Sequence, residues 1–199
     1  LPGGIMAKAG YEHKSNLGGG LNHYIEKGYV PYPNPHGNHG YHNEGAGQTL
    51  EYAYQDWCLA QMAKALGKND DYQMFMKRAG NYKNVWDEGS GWMRPRQLDG
   101  NWIDPFNPIL SHHGFVESTA TQSTWFVPHD MNGLFNLMGG AEKAATKLNQ
   151  QFLISDVHDF TSRGYKADKF VNKARHNTWL NYGNQPSMQV GFVFNYAGK

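Results

Sequence analysis

One stretch, Gln48–Gly67 (QTLEYAYQDWCLAQMAKALG), constrains the fold more than any other. Leu50, Ala53, Tyr54, Trp57, Ala60 and Gln61 fall at the three- and four-residue spacing that lines up side chains on one helix face. Leu59, Met62, Ala63 and Leu66 widen that apolar face, which predicts a helix packed on two sides. Gly67 stands where a helix commonly closes in a left-handed conformation. Cys58, on the apolar part, is expected to be a buried and inert thiol. The spacing puts Glu51 in the first turn, beside Tyr52, Tyr54 and Trp57. A carboxylate there has two open readings. It can simply complement the positive end of the helix, an effect of roughly 0.3 kcal/mol, or it can serve as a proton donor.

The flanking sequence supports more helices. Leu21–Gly28 suits one or two helical turns, and Val30–Gly47, with Pro31, Pro33 and Pro35, reads as a loop. His36, His39 and His42 recur in that loop, as either a metal-binding tract or an unorganised glycine-rich segment. Asn69-Asp70 is a suitable start for a second helix reaching about Val85. Tyr72, Phe75, Ala79, Tyr82 and Trp86 form its ring-rich face, with Lys77, Arg78 and Lys83 on the polar one. The short link at Lys68-Asn69 predicts an antiparallel helical hairpin.

Asp87–Pro108 has no helical period and reads as a long aromatic loop, a type that usually has a function. Its Arg94 and Arg96 suit polar ligand contacts, or pairing with Asp87, Asp99 or Asp104. Pro128-His129-Asp130 caps a helix from Met131 to Met138. Ala141–Phe152 is a further helix with Ala145, Leu148 and Phe152 inward, and Asp168–His176 another. Gly183-Asn184-Gln185-Pro186 reads as a turn, and Met188–Tyr196 as strand by propensity or helix by context. The pattern predicts an all-α architecture of stacked hairpins.

Composition narrows the function. Only 39% of the 199 residues are hydrophobic, whereas aromatics reach 14%, with six Trp and twelve Tyr. That imbalance favours ring-lined clefts or surfaces, which suit the C–H faces of sugars. A net charge of +1, with basic residues scattered, argues against a nucleic-acid partner. A single cysteine excludes an internal disulfide. No apolar run is long enough to span a bilayer. Because residue 1 is Leu, the chain is expected to be processed or part of something longer.

At TLEYAYQDWCLAQMAKALG the chain resembles glycoside hydrolase family 92, the calcium-dependent exo-α-mannosidases. GYVPY at Gly28–Tyr32, YKNVWDEGSGWMRPR and DGNWIDPF are similar to flanking family segments. GFVESTATQSTWFVPHDMNGLFNLMGG resembles a stretch that in the family reads like GF-T-E-G-N-A-W-Q-Y-T-W before a PHD turn. GNQPSMQVGFVFNYAGK resembles its GNEPSHHIAYLYNYAGKP-like element. The matches keep the family's order over Leu21–Lys199.

The resemblance implies that residues 1–199 form part of an (α/α)6 toroid-like catalytic domain. A β-sandwich domain normally precedes that domain, and the rest of the barrel is absent from this chain. The implied reaction is removal of a terminal α-mannose from a glycan with inversion, which needs a general acid and a general base on opposite faces of the sugar. The resemblance assigns the acid to Glu51; the family's base lies in a D-E-D-N-G-Q-like motif absent from this chain. It implies Ca2+ held by Glu117, Gln122 and Asn184, and substrate contacts from Arg94, Glu117 and Trp57. Family members commonly work in the periplasm or outside the cell. Thr119, Thr121, Gln185 and Met188 depart from the family pattern close to the implied pocket. Those departures leave a non-catalytic carbohydrate-binding or scaffold protein as the alternative.

Overall fold

The computed structural model describes residues 19–34, 44–157, 179–182 and 184–199. The histidine tract at His36, His39 and His42, the expected helix Asp168–His176 and Gly183 lie outside them. The chain divides into two compact units, Leu1–Val85 with Pro95–Asp104, and Trp86–Arg94 with Pro105–Lys199. Helices α1 (Leu21–Lys27), α2 (Gly45–Ala65) and α3 (Asn69–Ala79) build the first.

Helix α2 begins three residues earlier than the sequence period indicates. Glycine makes this possible: a Cβ on Gly45 would lie 2.2 Å from the Val30 carbonyl oxygen and 2.4 Å from that of Pro31. Thr49 closes the junction by accepting from the Val30 N–H at 2.9 Å and donating to the Gly45 carbonyl at 2.8 Å. The buried face of α2 carries Ala46, Thr49, Leu50, Ala53, Asp56, Ala60 and Ala63. Its small residues let α3 lie close. The expected second packing side is not formed among the described residues, where Met62 and Leu66 are exposed. Cys58 is exposed as well, which corrects its reading as a buried thiol.

The hairpin itself is as expected. Gly67 adopts φ 67°, and the Lys68 and Gly67 N–H groups donate back to the Ala63 and Lys64 carbonyls at 2.9 and 3.1 Å. These bonds form a Schellman closure. The α2–α3 seam holds a feature the polar pattern conceals. Asp56 is only 2% exposed, yet it accepts two 2.8 Å bonds from the Arg78 guanidinium and one at 3.0 Å from the Tyr24 hydroxyl. Arg78 therefore serves this seam rather than a solvated face. Helix α3 stops at Ala79, and Gly80–Val85 continues as a 3-10 helix.

The second unit contains β1 (Trp86–Asp87) paired antiparallel with β2 (Trp92–Met93), in register Trp86 with Met93 and Asp87 with Trp92. Its helices are α4 (Ala120–Ser123), α5 (Met131–Leu137), α6 (Ala141–Val157), α7 (Gln185–Met188) and α8 (Val193–Tyr196). Asp130 caps α5 as the sequence predicts, accepting from the Gly133 N–H at 2.9 Å. Ala145 and Leu148 of α6 are buried, and Phe152 meets Tyr182 and Phe194 at ring distances of 6.1 and 5.9 Å. Met188–Tyr196 is helical, with a 3-10 turn at Val190–Phe192 before α8. Residues expected to form one irregular loop after Asp87 thus include a short strand pair, and Arg96 and Trp102 add an isolated bridge in the first unit. The all-α expectation holds.

Candidate active site

Glu51 lies in the second turn of α2, because the helix starts at Gly45. The first-turn placement is thereby corrected, and the helix-end complement it offered is weakened, since the dipole effect fades beyond the first turn. Glu51 is exposed, yet burial raises its carboxyl above the ordinary glutamate value. The residue is open to a ligand, while the protein around it displaces enough water to disfavour the charged form. Tyr54 and Trp57, three and six residues on, stack at 6.3 Å and 12°, both half-buried.

Arg94 sits at the end of the β1–β2 hairpin and forms an ion pair with Asp87 at 3.0 Å. Its guanidinium also lies over the Phe106 ring at 5.0 Å. Burial opposes the ionised Asp87, but hydrogen bonds from Arg94, Ser90 and Gly89 outweigh it and hold the carboxyl below its usual range. The pairing alternative left open by the sequence is realised for Arg94. Arg96 instead stacks on Trp102 at 4.0 Å, within the first unit.

The structure brings Glu117, Gln122 and Asn184 into one neighbourhood of the second unit. Glu117 is exposed and has φ 49°, a left-handed conformation uncommon outside glycine. The Asn184 side-chain amide donates to the Glu117 carbonyl. Gln122 is fully buried in α4, with the Ser118 hydroxyl 3.4 Å from its Oε1. One carboxylate and two amide side chains present oxygen donors, the chemistry that Ca2+ prefers. No group of three or more His, Cys, Asp or Glu able to hold a metal occurs among the described residues.

The departures Thr119 and Thr121 have structural roles. Thr119 caps α4, accepting from the Gln122 N–H at 3.3 Å, and its hydroxyl lies 2.8 Å from that of Thr121. Thr121 donates to the Trp179 carbonyl at 3.1 Å. Sequence reasoning missed Gln151, which is buried and joins this region to α6. It accepts from the Trp125 indole at 2.8 Å and donates to the Thr121 and Trp179 carbonyls at 2.8 and 2.6 Å. Its position on the apolar stripe of α6, three residues after Leu148, was the available signal.

The model of the glycosyl hydrolase family 92 catalytic domain matches residues 5–199. The chain belongs to glycosyl hydrolase family 92. A curated relative, an uncharacterised secreted glycosidase of Arthroderma benhamiae, is 28% identical over 91% of this chain and 23% of its own length. Among solved structures, a family GH92 alpha-mannosidase of Bacteroides thetaiotaomicron is 33% identical with TM-score 0.68, covering 89% of this chain and 20% of that one. An inverting family GH92 mannosidase of the same species is 31% identical with TM-score 0.70, covering 88% and 23%. The chain thus spans about a fifth to a quarter of these family 92 relatives.

Proposed function

We propose that this chain supplies the general acid and part of the calcium site of an exo-α-mannosidase that releases terminal mannose from glycans with inversion. The observation that carries this reading is Glu51, set in a family 92 chain with its carboxyl raised by burial. A catalytic acid must keep its proton to near-neutral pH, and burial works in that direction. Glu51 donates this proton to the departing glycosidic oxygen. The general base, which activates water from the other face, comes from residues outside this chain. The solved relatives described as mannosidases, one of them inverting, support the substrate class and stereochemistry.

Trp57 offers an aromatic face to the sugar, and Arg94, held in place by Asp87, a polar contact. Glu117 also contacts the sugar. Glu117 and Gln122, with Asn184 beside them, form the oxygen-bearing group for Ca2+. When bound, that ion would withdraw electron density from sugar hydroxyls and help distort the ring. The description of one relative as secreted supports action outside the cell or in the periplasm. No helix among the described residues is long and apolar enough to cross a membrane.

The test uses the full-length protein with an aryl α-mannoside and with mannose-containing oligosaccharides. Glu51→Gln is expected to lower kcat at least ~10²-fold with an aliphatic leaving group, and less with a nitrophenolate, which needs little protonation. The wild-type basic limb of the pH–rate profile should lie above that of an ordinary glutamate. Full activity in Glu51→Gln would refute the assignment. One observation favours a second reading, carbohydrate binding without turnover: Thr119 and Thr121 have their hydroxyls committed to internal hydrogen bonds. Saccharide binding with no mannose release from the wild type would select it.

A further inference from the structure

Asn184 occupies the N-cap position of α7, with φ −121° and ψ 137°. An asparagine there ordinarily turns its side-chain oxygen onto the first helical N–H groups. This one makes no such cap bond. Its Nδ2 instead donates to the backbone carbonyl of Glu117, 67 residues away in sequence. A backbone carbonyl can only accept, so the nitrogen rather than the oxygen must face it.

The residue so held is one the backbone would not hold by itself. Glu117 has φ 49°, a region that costs a non-glycine residue free energy and persists where surrounding contacts enforce it. The next residue is fixed as well: Ser118 is buried, and its hydroxyl lies 2.8 Å from that of Ser123 in α4. The direction of the exposed Glu117 carboxylate therefore depends on a strained turn secured through its own carbonyl and the residue that follows. We propose that Asn184 is a positioning residue for Glu117, acting through its amide N–H rather than as an oxygen ligand of a cation. The inference rests on the reading that Glu117 belongs to the cation site, and it assigns Asn184 a different role within that group.

The two roles predict opposite signs for one substitution. Asn184→Asp keeps an oxygen in place and adds negative charge, so a direct ligand would bind Ca2+ more tightly. A clamp would lose its donor and set a carboxylate against a carbonyl. Asp is as good an N-cap as Asn, so the start of α7 is preserved. In the full-length protein with Ca2+ removed, amide exchange across residues 115–119 should be faster in Asn184→Asp and Asn184→Ala than in wild type. Unchanged exchange would overturn the clamp.

Calorimetric titration with CaCl2 alone should then show Asn184→Asp binding at least ~10-fold more weakly than wild type. Equal or tighter binding would overturn the proposal in favour of an oxygen ligand. Glu117→Gln separates the underlying reading from the inference. If it leaves Ca2+ affinity unchanged, Glu117 is not in the cation site and the proposed cation role of both residues falls. The exchange result still decides whether Asn184 holds the Glu117 turn.

Discussion

Replacing Arg78 by Met gives the most direct measure of what holds α2 against α3. The substitution keeps most of the side-chain volume and removes the guanidinium. Asp56, 2% exposed, then retains the Tyr24 hydroxyl at 3.0 Å but loses both 2.8 Å charge-assisted bonds. Breaking one side of a buried pair costs about 3–5 kcal/mol, mainly because the surviving charge is left without compensation. The Arg78 side chain is 17% exposed, so water can reach part of the vacated space, and the expected loss is about 3 kcal/mol. Arg78→Lys keeps the charge without the two-pronged geometry and should lose about 1 kcal/mol.

The double variant Asp56→Leu/Arg78→Met removes both charges and should recover most of the single-variant loss, ending within about 1 kcal/mol of wild type. Urea unfolding of the full-length protein, with hydrogen exchange assigning the transition to α2 and α3, measures all three. A cost under about 1 kcal/mol for Arg78→Met would mean that the ion pair does not hold the seam. So would a double variant no more stable than that single one.

Gln151→Leu should cost about 3 kcal/mol, because the Trp125 indole and the Thr121 and Trp179 carbonyls lose their shared partner; thermal denaturation reads the loss. Gly45→Ala should cost about 2–3 kcal/mol and shorten α2, since the new methyl would overlap the Val30 and Pro31 carbonyls; circular dichroism with urea titration checks it. Lys147, its Nζ 3.4 Å from the centre of the Trp92 ring, is brought down to about 8 by burial. Its amine should react with acylating reagents with a midpoint near pH 8, as peptide mapping across a pH series would reveal. Between about pH 8 and the ordinary lysine value of 10.5 the unfolded chain binds more protons. This group's contribution to stability should therefore rise with pH across that window, and Lys147→Met should abolish the rise.

The helical hairpin and the start of α5 were legible because their signals are local. Repeated apolar positions, Gly67 after Leu66 and Asp130 before Met131 each act within one or two turns. The helix start was hidden because Gly45-Ala46-Gly47 has the composition of a loop. What overrides that composition is the close approach of Val30 and Pro31, a contact not encoded in local periodicity. Asp56 and Arg78 were hidden for a similar reason. A charged residue at a buried helical position looks like a solvent-facing one until its partner is known.

Met188–Tyr196 has strand-favouring Val and Phe residues, yet is helical in its tertiary setting, where Phe194 packs on Phe152. At the candidate site, the sequence alone left Glu51 with two roles. Family resemblance brought Glu117, Gln122 and Asn184 together, and the fold adds the left-handed turn at Glu117 that no spacing could announce.

The ion pair of Asp56 also acts as an angular reference for α2. Glu51 and Asp56 are five residues apart, so at about 100° per residue they point about 140° apart around the helix axis. With Asp56 fastened to α3, the helix cannot roll without stretching two short bonds, and Glu51 is kept on the opposite, outward side. Mutations along the outward side can therefore alter what surrounds the carboxyl group while its bearing stays fixed. A change at position 56 or 78 would redirect it without touching it.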